Sequence, residues 1–263
     1  MIKKYLLLFF LLICSAFQLS DFTIVKTISS TTSFMTADNF GNLYIIVNNE
    51  LRKYDQDGNL LKTFSDKSHG ALSYIDVSDP LKILLFYHDF RQILFLDNML
   101  SKKGDALLLD DLEVLQPLLV CTSYENGFWI YDQQEFQLIR FDQNLQKSYQ
   151  TGNIVQLTGL EIKPNFLTEI NNSVYLNDPE NGILVFDRYG TYSKVLPFKK
   201  LTSFQIIDNN IIYSTDSSLI RYNLKTFEQQ SMSLPVKHVK CSQIEKERLY
   251  LQDSSSVQIY SRN

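Results

Sequence analysis

Hydrophobic and polar residues alternate in short runs along most of this chain, and turn-forming residues break the runs at regular places. In residues 42–64, NLYIIVNNELRKYDQDGNLLKTF, three extended runs (NLYIIV, ELRKYD and LLKTF) are separated by Asn-Asn and by Asp-Gln-Asp-Gly-Asn. β-Branched and aromatic residues fill the runs, and the separators are residues that tolerate tight reversals. The pattern predicts an antiparallel meander. It returns in GFWIYDQQEFQLIRFD, SVYLNDPENGILVFD and NIIYSTDSSLIRYNL. A helical period is confined to residues 110–116, between two such units.

The spacing of the units sets the architecture. An aromatic or apolar residue followed by Asp or Asn closes the second run of each unit. It occurs at Tyr54-Asp55, Leu96-Asp97, Phe141-Asp142, Phe186-Asp187 and Tyr222-Asn223, with a degenerate copy at Tyr260-Ser261. The intervals are 42, 45, 45, 36 and 38 residues. Four strands in about 40 residues is the blade of a β-propeller, in which each sheet packs against its neighbours. The chain is therefore expected to be all-β, a six-bladed β-propeller with blades at residues 34–66, 74–109, 118–154, 166–198, 203–234 and 238–263. The last copy stops after its third strand and would leave an unpaired edge. Residues 22–29, FTIVKTIS, resemble the outer-strand text LLKTFS and are expected to supply the missing strand and close the ring.

Residues 1–16 read as a secretory signal. Lys3 and Lys4 precede an apolar run, Tyr5 to Ile13, and Cys14-Ser15-Ala16 offers the small residues of a cleavage site. The alternative is lipidation of Cys14, disfavoured because Ile13 stands where a small residue is wanted. Export predicts a single domain over residues 17–263, in the periplasm or at an outer membrane. Removing two lysines and no acid leaves 23 basic against 29 acidic residues, a net charge of −6. With no basic cluster in the text, a nucleic-acid partner is not expected. Cys121 and Cys241 occupy equivalent places in two repeats on opposite sides of the ring, too far apart for a disulfide, and are expected as free thiols.

The text from Asp38 to Phe64, DxxGNLY followed by KYDxxGxLLKTF, resembles the NHL and YWTD class of six-bladed propellers. The architecture it implies covers the mature chain, although later copies lose the glycines. In its Asn-, Lys-, Ile- and Tyr-rich text the chain also resembles small exported propeller proteins of Bacteroidota cell envelopes.

No motif for nucleophilic catalysis or a His-rich metal site is present, and the three histidines are dispersed. Similarity to calcium-dependent propeller lactonases implies a channel metal. Asp76, Glu169 and Gln205, on the innermost strands, are the candidate oxygen ligands for calcium, with Lys240 able to enter the same channel as an ion-pair partner instead. A second set lies in the turns after each second strand. These open with Asp89, Asp132, Asp178, Asp216 and Asp253, and with Asn48 in the first copy. Asp and Asn also start turns for purely local reasons, by bonding the backbone two residues on.

The candidate partner-binding residues are His88, Asp89, Phe90 and Arg91, then Asp132, Glu135 and Phe136, then Asp178 and Glu180. Phe90 and Phe136 stand where turn text is ordinarily polar, and either can serve recognition or tuck back onto its blade. Trp129 is expected between blades. The reading is a non-enzymatic scaffold or accessory subunit of an envelope or outer-membrane protein complex, type IX secretion included. A calcium-dependent hydrolase or lactonase, or a glycan or small-ligand binder, is the alternative.

Overall fold

The computed structural model describes residues 22–262. The signal segment and Cys14 lie outside them. Six four-stranded antiparallel sheets follow one another around a ring, which is the six-bladed propeller that the repeat predicts. Five blades are built from consecutive strands. The first runs Phe34–Ala37, Leu43–Val47, Glu50–Tyr54 and Leu60–Phe64, from the channel outward.

The sixth blade is composite. Cys241–Glu245, Arg248–Gln252 and Ser256–Arg262 form its inner three strands, and Phe22–Ser29 pairs antiparallel with Ser256–Arg262 as the outermost. The expected closure is present. The register runs from Phe22 opposite Arg262 to Ser29 opposite Ser256, with a bulge between Ile24 and Lys26. Outer strands are mostly exposed and second and third strands mostly buried, because a blade's middle is covered on both faces by its neighbours. The apolar clusters accordingly lie between blades: Trp129 and Tyr131 of blade 3 pack with Leu167 and Val174 of blade 4.

The repeated anchor acid has a specific cause. Asp55 Oδ1 accepts the backbone N–H groups of Asp57 and Asn59, and Asp97, Asp142 and Asp187 do the same for residues two and four ahead, all at 2.8–3.0 Å. Each carboxylate caps the turn between third and outer strands, so the repeat's most regular letter is turn chemistry.

Helical structure differs from the expectation. Residues 110–116 do not form an α-helix; a 3-10 turn covers Leu109–Leu112 instead. Among the described residues the α-helix is Ile154–Thr158, where the Asn153 side chain accepts from Gln156 N–H and Gly159 ends the helix in the left-handed region. Five residues are too few to show a helical period. Among the described residues, no helix is long and apolar enough to cross a membrane. Cys121 and Cys241 are both free thiols.

Candidate functional site

In this topology the turns after second strands share one face of the disc with the segments that link each blade to the next. Cross-links between these two kinds of loop show the arrangement. Asn49 Nδ2 donates to Gly70 O, and Asn153 Nδ2 to Glu135 O.

On that face the turn at 88–91 is held rigidly while one large side chain stays outside. Arg91 forms a two-point ion pair with Asp110, both contacts at 2.6 Å, which lifts the guanidinium above its ordinary range and draws the Asp110 carboxyl below its own. The Phe90 ring lies across Gly70, where a Cβ would meet ring carbons at 2.6 Å, yet the residue remains 55% exposed. Gly70 has φ of +77°, so a side chain there is excluded twice. His88 and Asp89 are exposed, with His88 Nδ1 3.6 Å from the Asp89 carboxylate. Glu135 and Glu180 are exposed as well.

Three expected contact residues are not available on the surface. Asp132 is buried, its Oδ1 accepting Gln134 N–H, and burial raises its pKa. Asp178 is fully buried and caps its turn through Glu180 and Asn181 N–H, while its other oxygen accepts from Lys163 N–H. Phe136 tucks against the cluster between blades 3 and 4. Asp253 is enclosed by Ser255, Ser256 and Gln258; burial opposes its ionisation, but those hydrogen bonds hold its pKa below the usual range. The acidic ring is therefore mostly turn capping, and only Asp89 and Asp216 of the five project to solvent. Asp216 is paired with His238 at 3.0 Å.

A basic arc went unseen in the sequence. Lys163, Lys199, Lys200, Lys237 and Lys240 are exposed on three successive inter-blade segments, and no carboxylate lies within 4.0 Å of any of them among the described residues. They never form a run, because each segment contributes only one or two. Across the ring, Asp89, Asp110, Asp111, Glu113 and Glu135 are exposed on the side of blades 2 and 3. The lysine side also carries exposed Glu161, Glu180 and Asp216, so charge of both signs is present there.

The inner strands enclose a central channel of about 1030 Å³. The three candidate calcium ligands do not converge in it. Asp76 accepts four hydrogen bonds, from the N–H and hydroxyl of Ser78 and of Thr122, at 2.6–2.9 Å. Gln205 makes a reciprocal pair with the backbone of Ile244 in the next blade. Glu169 accepts from the indole N–H of buried Trp129 at 2.8 Å and borders a separate cavity of about 520 Å³. Asp76 and Gln205 are engaged by their neighbours and Glu169 borders a different cavity, so this donor set does not fit a shared calcium. Among the described residues no group of three or more His, Cys, Asp or Glu gathers. Lys240 lines a channel mouth but pairs with neither Asp76 nor Glu169.

The channel's most distinctive acid is one the sequence reading passed over. The innermost strand of blade 6 runs Cys241–Glu245, displaced from the expected HVKCSQ, and places Glu245 among the channel-lining residues. Burial, then the charge of Asp38, raises Glu245 to about 7 against the opposing effect of Lys246. His238, with φ of +61°, still belongs to the preceding turn, which is why the strand begins later.

No known protein family matches the chain, and no curated protein does either. Solved structures do match. A virginiamycin B lyase from Staphylococcus aureus superposes with a TM-score of 0.64 at 9% identity, covering 91% of this chain and 99% of that one. BBS1N, solved in complex with ARL6DN, gives 0.56 at 11% identity, covering 89% of this chain and 78% of that one. The extracellular domain of the putative one-component system BT4673 from B. thetaiotaomicron gives 0.55 at 13% identity over 87% of this chain and 32% of that one. These likenesses establish the propeller fold.

Proposed function

We propose that this chain is an exported, non-enzymatic propeller that holds another envelope protein on the face carrying Phe90. The observation that carries this reading is a large apolar side chain kept outside on a turn that a two-point ion pair fastens to the disc. A rigid turn loses little conformational freedom on association, and an exposed aromatic is the kind of anchor around which protein interfaces form. His88, Asp89 and Arg91 flank that anchor on its own turn, Glu135 and Glu180 stand on the corresponding turns of blades 3 and 4, and the uneven charge of the face favours one rotational setting of a partner. BBS1N was solved with a bound protein, and the BT4673 domain is extracellular; both are consistent with such use of the fold. An outer-membrane machine such as the type IX secretion system is the partner proposed.

Affinity purification of a C-terminally tagged copy from its native envelope in mild detergent tests this. One stoichiometric membrane partner, lost from the Phe90→Ser variant, is expected. A partner-free monomer from the same envelope would sink the scaffold reading.

A further inference from the structure

One strand carries opposite charges at the two ends of the central channel. Lys240 immediately precedes the inner strand Cys241–Glu245, and both Lys240 and Glu245 line the channel. In a propeller the inner strand spans the disc, so these residues stand at opposite mouths. Five residues of extended chain separate them by about 16 Å. Neither side chain has a hydrogen-bond or ion-pair partner among the described residues, whereas neighbouring Asp38 and Asp76 each accept four hydrogen bonds. An acid left half-buried without a partner is costly, and nothing in the packing of the blade requires it.

The wall between the mouths is largely apolar and aromatic. Phe34, Tyr74, Leu118 and Phe166 line it and are each partly exposed, and Thr36 and Gln243 add hydrogen-bonding groups. Cys241, Gln243 and Glu245 line the channel while Ser242 and Ile244 do not, as the two-residue period of a strand requires. A volume of about 1030 Å³ is at the upper end of ligand-pocket sizes, and the polar side chains interspersed along the wall offer partners to a peptide backbone.

We propose that the channel binds a short extended peptide with free ends, its terminal ammonium on Glu245 and its terminal carboxylate against Lys240. A peptide of about five residues carries opposite charges at this separation, and apolar side chains would face the aromatic wall. A ligand with a single charged head would leave one mouth unmatched. The Lys240 mouth opens on the face that carries Phe90, with His88 also at the channel, but peptide binding inside the channel does not depend on the scaffold reading.

The chain from residue 17 contains every strand of the ring and is the material for titration calorimetry. The probe is Ala-Leu-Val-Leu-Ala with free ends, compared with its N-acetylated and C-amidated forms. The free peptide is expected to bind, and each blocked end to weaken binding at least about tenfold. In Glu245→Gln the penalty for acetylation disappears, and in Lys240→Ala the penalty for amidation disappears. Both residues lie at channel mouths, and a single cooperative thermal unfolding transition at pH 5 confirms that each variant is folded. No binding of the free peptide, or equal binding of the doubly blocked one, overturns the proposal. So does octylamine binding as tightly as the peptide and unaffected by Lys240→Ala, which would make the site one for simple amines.

Discussion

Leu100 and Leu145 occupy the left-handed backbone region, with φ of +60° and +62°, at the turn position where Gly58 and Gly190 stand in other blades. The same two backbone bonds and the same capping acid enforce the conformation in all four turns. An L-residue there costs roughly 1–2 kcal/mol, and glycine's extra freedom in the unfolded chain costs about 0.5–1 kcal/mol. Leu145 is 38% exposed, so Leu145→Gly is expected to stabilise by about 0.5 kcal/mol and raise Tm by roughly 1–2 °C in a thermal melt. Leu100 is 5% exposed and packs in the core between blades 1 and 2. There the lost packing, about 2–5 kcal/mol by analogy with Leu→Ala, outweighs the relief, and Leu100→Gly is expected to destabilise.

Glu245 gives a pH signature at the same scale. Its folded pKa, about 7, lies above that of an unfolded glutamate, so folding disfavours the charged form. The resulting destabilisation is absent below the unfolded value and complete above about pH 7. Asp38 and Tyr250 face it and Lys246 opposes them, with none of these changed by the substitution. Glu245→Gln should therefore raise Tm clearly at pH 8 and much less at pH 5. An equal shift at both values would show that packing, not charge, is the cause.

At the scale of elements, closure and blade-to-blade clamps decide stability. Removing residues 21–30 would bare the whole of Ser256–Arg262, and an unstable or oligomerising protein is expected by sedimentation and melting. A soluble, cooperative monomer would refute the closure argument. Blades 3 and 4 are joined by a stack in which Arg140 and Arg188 lie on the Tyr124 ring, each guanidinium carbon 3.8 Å from the centroid. Arg140 is buried without a carboxylate partner and instead bonds Ser123 Oγ, Ser148 Oγ and Tyr124 O. The ring face thus stabilises the buried Arg140 charge, a contribution of about 1–2 kcal/mol. Tyr124→Ala should lower Tm by several degrees, whereas Tyr124→Phe, which keeps the ring, should cost much less.

For the whole molecule, the two faces and the channel have different prospects. The Phe90 face offers a fixed apolar anchor on a charged surface, and the channel offers unpartnered charges of opposite sign at its mouths. The turn residues were legible from sequence as positions but not as surfaces. Asp132 and Asp178 look like Asp89 in the text, and only packing against the next blade distinguishes buried caps from an exposed acid. The calcium set was read in the same way: Asp76, Glu169 and Gln205 do lie on inner strands, but Ser78 and Thr122 bond Asp76, Ile244 bonds Gln205, and Glu169 turns to Trp129 beside a separate cavity.

What the sequence by itself determined was the blade count, the strand pattern and the ring closure. These follow from period-two burial and local turn chemistry, which act within about 40 residues and are written in consecutive letters. Only the tertiary structure decided which polar side chains remain free. Lys163, Lys199, Lys200, Lys237 and Lys240 come together through three separate segments, and Glu245 is left unpartnered by a strand that begins three residues later than its text suggested. Solvation and charge pairing depend on distances between blades, and those distances are set by the closed ring rather than by any one repeat.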